Sequence, residues 1–202
     1  LSQYDELIHC NFRDTSHVAA DIERIGGEAL ASHPAIRVRR RACFQCPIGC
    51  TRDTELLDKG GAVVDRGEGP EFETVAMFGA NLAVYDLEPI TEANYLCNRL
   101  GLDTIAAGGT IAALMEIYGI ASAKQPDART AGERAAMEDA AAFARACGEA
   151  ARGGRGEGTC APAFGNATAL VPLVRAMGRG EGALGRALAS GSRRLAERYG
   201  HP

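Results

Sequence analysis

Three thiols fall within eight residues in the run Cys43-Phe44-Gln45-Cys46-Pro47-Ile48-Gly49-Cys50, at C-x2-C-x3-C spacing. Thiolates held this close suit an iron–sulfur cluster, whose irons prefer soft sulfur ligands. Arg37, Arg39, Arg40 and Arg41 stand directly upstream. Positive charge there is expected to lower the thiol pKa values and offset the charge of a thiolate-bound cluster. A zinc site or unligated thiols are the alternatives. Structural zinc sites usually pair two half-sites, and Cys10, Cys97, Cys147 and Cys160 stand singly in the sequence. A [4Fe-4S] cluster takes four ligands, so the fourth must come from a distant cysteine or from outside this chain.

A second polar constellation is Cys97-Asn98-Arg99-Leu100-Gly101-Leu102-Asp103-Thr104. It reads as a helix end, a glycine turn and a new helix start, over positions 97–105. Such a junction presents backbone N–H groups and two short polar side chains, Asn98 and Asp103, which suit a polar heterocycle or an anion. Two ordinary helix caps would read the same way. Glu71 and Glu73 form a third group. Two residues apart, they are expected to face different directions, so that only one enters a site.

The elements that must position these residues read as helices. Thr15 or Ser16 can cap a helix carrying Val18, Ile22, Ile25 and Ala29, weakened at Gly26-Gly27 and ended by Pro34. Residues 51–70 are polar and glycine-rich, a loop or small hairpin with one β-like patch at Ala62-Val63-Val64. Pro70 and the two glutamates then open a helix into Val75–Ala83. Asp86 to Leu100 forms another, stopped by Gly101. Asp103 or Thr104 caps the next, with Gly108-Gly109 as an interruption. Thr130-x-x-Glu133 has capping-box spacing and starts an alanine-rich helix to about Cys147. Gly148–Gly165 is a glycine-rich connection and the best candidate for a mobile loop. Asn166 can cap a helix that Gly178 ends, and a final helix carries Leu184, Leu188, Leu195 and Tyr199. The pattern predicts an all-α, single helical domain over residues 1–202, with a cluster loop at 37–52.

Composition narrows the partners. A net charge of -4 over 202 residues does not favour nucleic acid or an anionic membrane. No apolar run is expected to reach the roughly 18–20 residues that span a bilayer. Seven cysteines, three of them clustered, argue against a secreted disulfide framework and for a reducing cytoplasm. The start at Leu1 suggests a piece of a longer polypeptide.

Taken in order, three stretches together closely resemble the middle domain of the aldehyde ferredoxin oxidoreductase family. They are Arg39-Arg40-Arg41-Ala42-Cys43-x2-Cys46-Pro47-Ile48-x-Cys50, then Gly69-Pro70-Glu71-Phe72-Glu73-Thr74, then Cys97-Asn98-x-Leu100-Gly101-Leu102-Asp103-Thr104-Ile105. The likeness is dense over residues 37–118 and looser elsewhere. It implies that Cys43, Cys46 and Cys50 hold three corners of a [4Fe-4S] cluster. It also implies that Asn98, Gly101, Leu102 and Asp103 match the family's D-x-x-G-L-D element for a bis-pterin tungsten, or molybdenum, cofactor. Asn98 stands where the pattern often has Asp. Glu73 matches the glutamate near the metal. The implied reaction is oxidation of an aldehyde to a carboxylic acid, with electrons passed to ferredoxin. The family's N-terminal β-rich domain and its C-terminal domain are not recognisable in this chain. The 202 residues alone are therefore expected to lack a complete site and to need those domains as partners, with a homo-oligomer a further expectation. A non-catalytic cluster-binding scaffold is the alternative.

Overall fold

The stretch from Ile36 to Glu68, expected as a basic run, a loop and a polar connection, folds as a sheet. Strands β1 (Ile36–Arg41), β2 (Thr51–Leu57) and β3 (Val63–Glu68) are antiparallel in the order β1-β2-β3. The all-α expectation is therefore corrected to a helical body carrying a small sheet. On β1, Ile36 and Val38 turn toward the core while Arg37, Arg39 and Arg41 stay exposed. Those arginines are paired across the ladder: Arg37 with Glu55 at 2.6 Å, Arg39 with Asp53 at 3.2 Å, and Arg41 with Asp53 at 2.9 Å and Glu68 at 3.4 Å. Exposed pairs contribute little stability each, but opposite charges facing across strands fix the register. The sequence hid this sheet because its outward alternation is written in charge, which lacks β-propensity.

The computed structural model describes residues 8–13, 19–151 and 159–201. The expected cap at Thr15 or Ser16, Val18, and the glycines at 153, 154, 156 and 158 lie outside them. Among the described residues the helices are α1 (Ala19–Arg24), α2 (Gly27–Ala31), α3 (Phe72–Phe78), α4 (Leu87–Leu100), α5 (Thr104–Ala123), α6 (Ala131–Ala151), α7 (Ala167–Arg179), α8 (Gly182–Ala189) and α9 (Ser192–Arg198). The break at Gly26-Gly27 falls where expected. Gly178 does not end α7; it packs against Leu100, and Gly180, at φ 63°, forms the left-handed cap instead. The expected last helix is split by Gly191, at φ 85°, into α8 and α9. Cys147 and Cys160 are not isolated: the pair is disulfide-bonded.

Helix α5 is the central element. Contrary to expectation it is long and apolar enough to cross a membrane, but Ile111, Leu114 and Met115 are fully buried, and it packs against α3, α6 and α9. Gly108 does not interrupt it. A Cβ there would lie 2.7 Å from Met77 Cβ and 2.9 Å from the Met77 carbonyl oxygen, so the glycine lets α3 lie directly on α5. The sheet is fixed to α4 in the same way. Gly67 rests on the Tyr95 ring, where a Cβ would approach to 2.7 Å. The Tyr95 and Thr54 hydroxyls share a buried 2.6 Å hydrogen bond, and Arg99 grips Asp65 through two 2.9 Å bonds.

The capping box at the start of α6 is formed as its spacing predicts. Thr130 N–H donates to Glu133 Oε2 at 2.8 Å, and Glu133 N–H donates to Thr130 Oγ1 at 3.1 Å. The Glu133 side chain is 1% exposed and also accepts from Lys124 Nζ at 2.6 Å, with His201 Nε2 at 3.3 Å. The Lys124 ammonium, with the Thr130 N–H, holds its carboxyl down at about 2. A carboxyl depressed in the folded state stabilises above its unfolded pKa, near 4.3, and loses that contribution as pH falls toward the folded value. Wild-type thermal stability should therefore drop more steeply between about pH 4.5 and 2 than that of Glu133→Gln. Parallel profiles would show that the carboxylate does not hold this corner.

Candidate functional site

Two of the sequence constellations meet at three helix ends. Helix α4 stops at Gly101, whose φ of 69° and ψ of 32° give the left-handed cap that the spacing predicts. Two residues on, Asp103 accepts from Ala106 N–H at 2.7 Å and caps α5. The N-terminus of α3 is tied to that of α5 by a 2.8 Å hydrogen bond between the Thr74 and Thr104 hydroxyls. The result is an open cleft of about 410 Å³ whose lining includes Glu73, Asn98, Leu102 and Asp103. Gly101 supplies the turn but does not line it. Asn98, Gly101 and Asp103 are exposed, so this corner faces outward.

Glu71 and Glu73 both line the cleft, against the expectation that only one would. Glu71 is the extended N-cap residue of α3 and Glu73 sits in its first turn. Because Glu71 is extended and lies outside the helical repeat, the rotation that separates i from i+2 within a helix does not apply to this pair. Asn94 and Glu68 also line it. Asn94 is 5% exposed and donates to the Glu68 carbonyl at 2.8 Å. Its place one turn before Asn98 on α4 was a readable signal, since i and i+4 share a helix face. Glu68 had none, because its strand was not foreseen.

The cysteines sit in the loop between β1 and β2. Arg41 pairs with Thr51 in the ladder, so Ala42–Cys50 is a closed hairpin loop with Cys43 and Cys50 near its base and Cys46 at its turn. Cys43 Sγ lies 3.8 Å from Thr51 Oγ1, and Cys46 N–H donates to the Cys43 carbonyl at 3.0 Å. Arg40, alone of the β1 arginines, reaches into the loop: it donates to the Gly49 carbonyl at 2.6 Å and also to that of Ile48. The Gly49 and Ile48 N–H groups hold the Cys46 thiol below its ordinary pKa. Backbone donors, not the arginines, therefore favour its thiolate. Among the described residues no three His, Cys, Asp or Glu side chains are drawn together at metal-holding distance. The loop nonetheless fits a cluster in donor type, with three soft sulfurs in one hairpin loop. Cys97 is fully buried, and burial pushes its thiol up to about 12.

Loop and cleft are joined. Glu68, on the cleft wall, pairs at 3.4 Å with Arg41, two residues before Cys43.

A family model described as "Aldehyde ferredoxin oxidoreductase, domains 2 & 3" matches residues 1–202. The chain belongs to this family. It is 38% identical over 176 residues to the tungsten-containing aldehyde ferredoxin oxidoreductase of Pyrococcus furiosus, covering 87% of the chain and 23% of that protein. The protein of the same description from Thermococcus kodakarensis is 36% identical over 178 residues, with the same coverage. A weaker likeness, 31% over 77 residues, links it to the WOR-like subunit of an aliphatic sulfonate oxidoreductase of P. furiosus, covering 38% of the chain and 12% of that protein. The chain thus spans about a quarter of the length of the tungsten oxidoreductases that it matches.

Proposed function

We propose that this chain is the helical part of a tungsten-dependent oxidoreductase that converts an aldehyde to its carboxylic acid and delivers the electrons to ferredoxin. The observation that carries this is the single cleft lined by Glu73, Asn98, Leu102 and Asp103, ion-paired through Glu68 to the base of the cysteine loop. In this reading Cys43, Cys46 and Cys50 hold a [4Fe-4S] cluster, and the rest of the protein supplies the fourth ligand and the other face of the pterin. When bound, the metallopterin supplies the two-electron oxidation and the cluster relays the electrons singly.

The chain's own residues bind and move protons. Asp103 spends one carboxylate oxygen on the Ala106 N–H and keeps the other for a ring N–H of the pterin, while the Asn98 amide both donates and accepts along that edge. Aldehyde plus water yields acid, two electrons and two protons. Glu73, exposed at the first turn of α3, accepts a proton as the acid forms.

The test is anaerobic expression of the full-length protein with tungstate, followed by metal analysis, visible spectroscopy and aldehyde-dependent ferredoxin reduction. The expected protein is brown, holds iron and tungsten, and turns over. A colourless zinc-loaded protein would sink the reading, and an iron-loaded protein without tungsten or turnover would make the chain a cluster scaffold.

A further inference from the structure

Behind the segment that carries Glu71 and Glu73 lies a second cavity, of about 230 Å³, between α1, α2 and α3. Ile22, Ile25, Leu30, Phe72 and Val75 give it apolar walls, and Arg52 is the one charged residue among those that line it. Arg52 is half-buried. It alternates with Thr51 and Asp53, which places it on the same side of β2 as the buried Thr54 and Leu56. Arg37, Arg39 and Arg41 have carboxylate partners and Arg40 holds two carbonyls, but no acidic side chain among the described residues pairs with Arg52. The residue facing it across the ladder is Arg40, a like charge that adds to the demand for an anion. Its guanidinium reaches toward α2, where a Cβ added at Gly27 would lie 3.7 Å from an Arg52 terminal nitrogen. A half-desolvated cation against apolar walls calls for one negative charge on an apolar body.

We propose that this cavity binds a small monocarboxylate, with the carboxylate on Arg52 and a compact hydrocarbon body between the isoleucines and Phe72. One guanidinium matches one carboxylate; a phosphate or dicarboxylate would bring charge for which the walls offer no partner. The volume equals that of about seven or eight liquid waters, which is room for a phenyl or short branched chain and less than drug-sized ligands take. Such a ligand is separated from the cleft by Pro70 and Phe72, so the site is distinct from the cleft that holds Glu73.

The test uses the full-length protein with 13C-labelled isoleucine δ1-methyls, and benzoate as probe. Ile22 and Ile25 methyls should shift saturably. Benzamide, the neutral isostere, should bind at least about tenfold more weakly, as should benzoate to Arg52→Gln, because a charge-assisted pair is lost in each case. Ala76→Phe, which fills the cavity with Arg52 intact, should abolish the shift. Unmoved methyls, including the case in which an acidic side chain from elsewhere in the full-length protein already covers Arg52, would overturn the proposal. So would equal affinities for benzoate and benzamide, a comparison that needs no variant.

Discussion

Full-length protein carrying Cys46→Ala should lose its visible absorption, with iron falling to background, while Cys147→Ala keeps both. Cys46 stands at the turn of the hairpin loop, and the Gly49 and Ile48 N–H groups hold its thiol below the ordinary pKa. Removing it leaves Cys43 and Cys50 at the loop base, two ligands where the cluster needs three from this segment. Cys147 lies on α6 and is committed to Cys160. Its removal touches a tether between α6 and the segment before α7, not the cluster. Equal iron losses in the two variants would mean that the ligands are wrongly assigned.

Glu73→Gln should lower kcat by about 10²–10⁴-fold, the usual range for removing a positioned proton acceptor, with tungsten and iron contents unchanged. Glutamine keeps the shape and the hydrogen-bonding reach of the side chain and deletes only its ability to take a proton. Glu71→Gln is the matched control, since Glu71 lines the same cleft but stands at the extended N-cap position, outside the first turn of α3. If Glu71→Gln suffers the larger loss, the proton acceptor is Glu71. If metal content falls in Glu73→Gln, the carboxylate holds the cofactor instead of serving the reaction.

Local signals proved readable where one residue type solves one backbone problem. Gly101 terminates α4, Asp103 caps α5 and Thr130 with Glu133 opens α6, as spacing alone predicts. The convergence of Glu73 with the Asn98–Asp103 corner was legible only through the family likeness, because no local pattern says that α3 and α5 begin side by side. Glycine was the residue most often misread. Gly108 and Gly178 looked like breaks but serve close packing against Met77 and Leu100, which depends on a partner distant in sequence. The sheet was missed for a related reason: the residues that pair its strands are arginines and acids, so the ladder carries no apolar alternation on its outer face.

The contact of Gly108 with Met77 sets the aperture of the cleft. Gly108 lies one turn beyond Thr104, and Met77 one turn beyond Glu73. With main chain resting on main chain at this seam, the spacing between the α3 and α5 mouths is fixed by a joint that no ligand touches. Ile105, 49% exposed, lines the cleft at the α5 mouth and can be exchanged without moving the jaws. What the cleft admits can thus drift at that lip while the gauge of the opening is held constant.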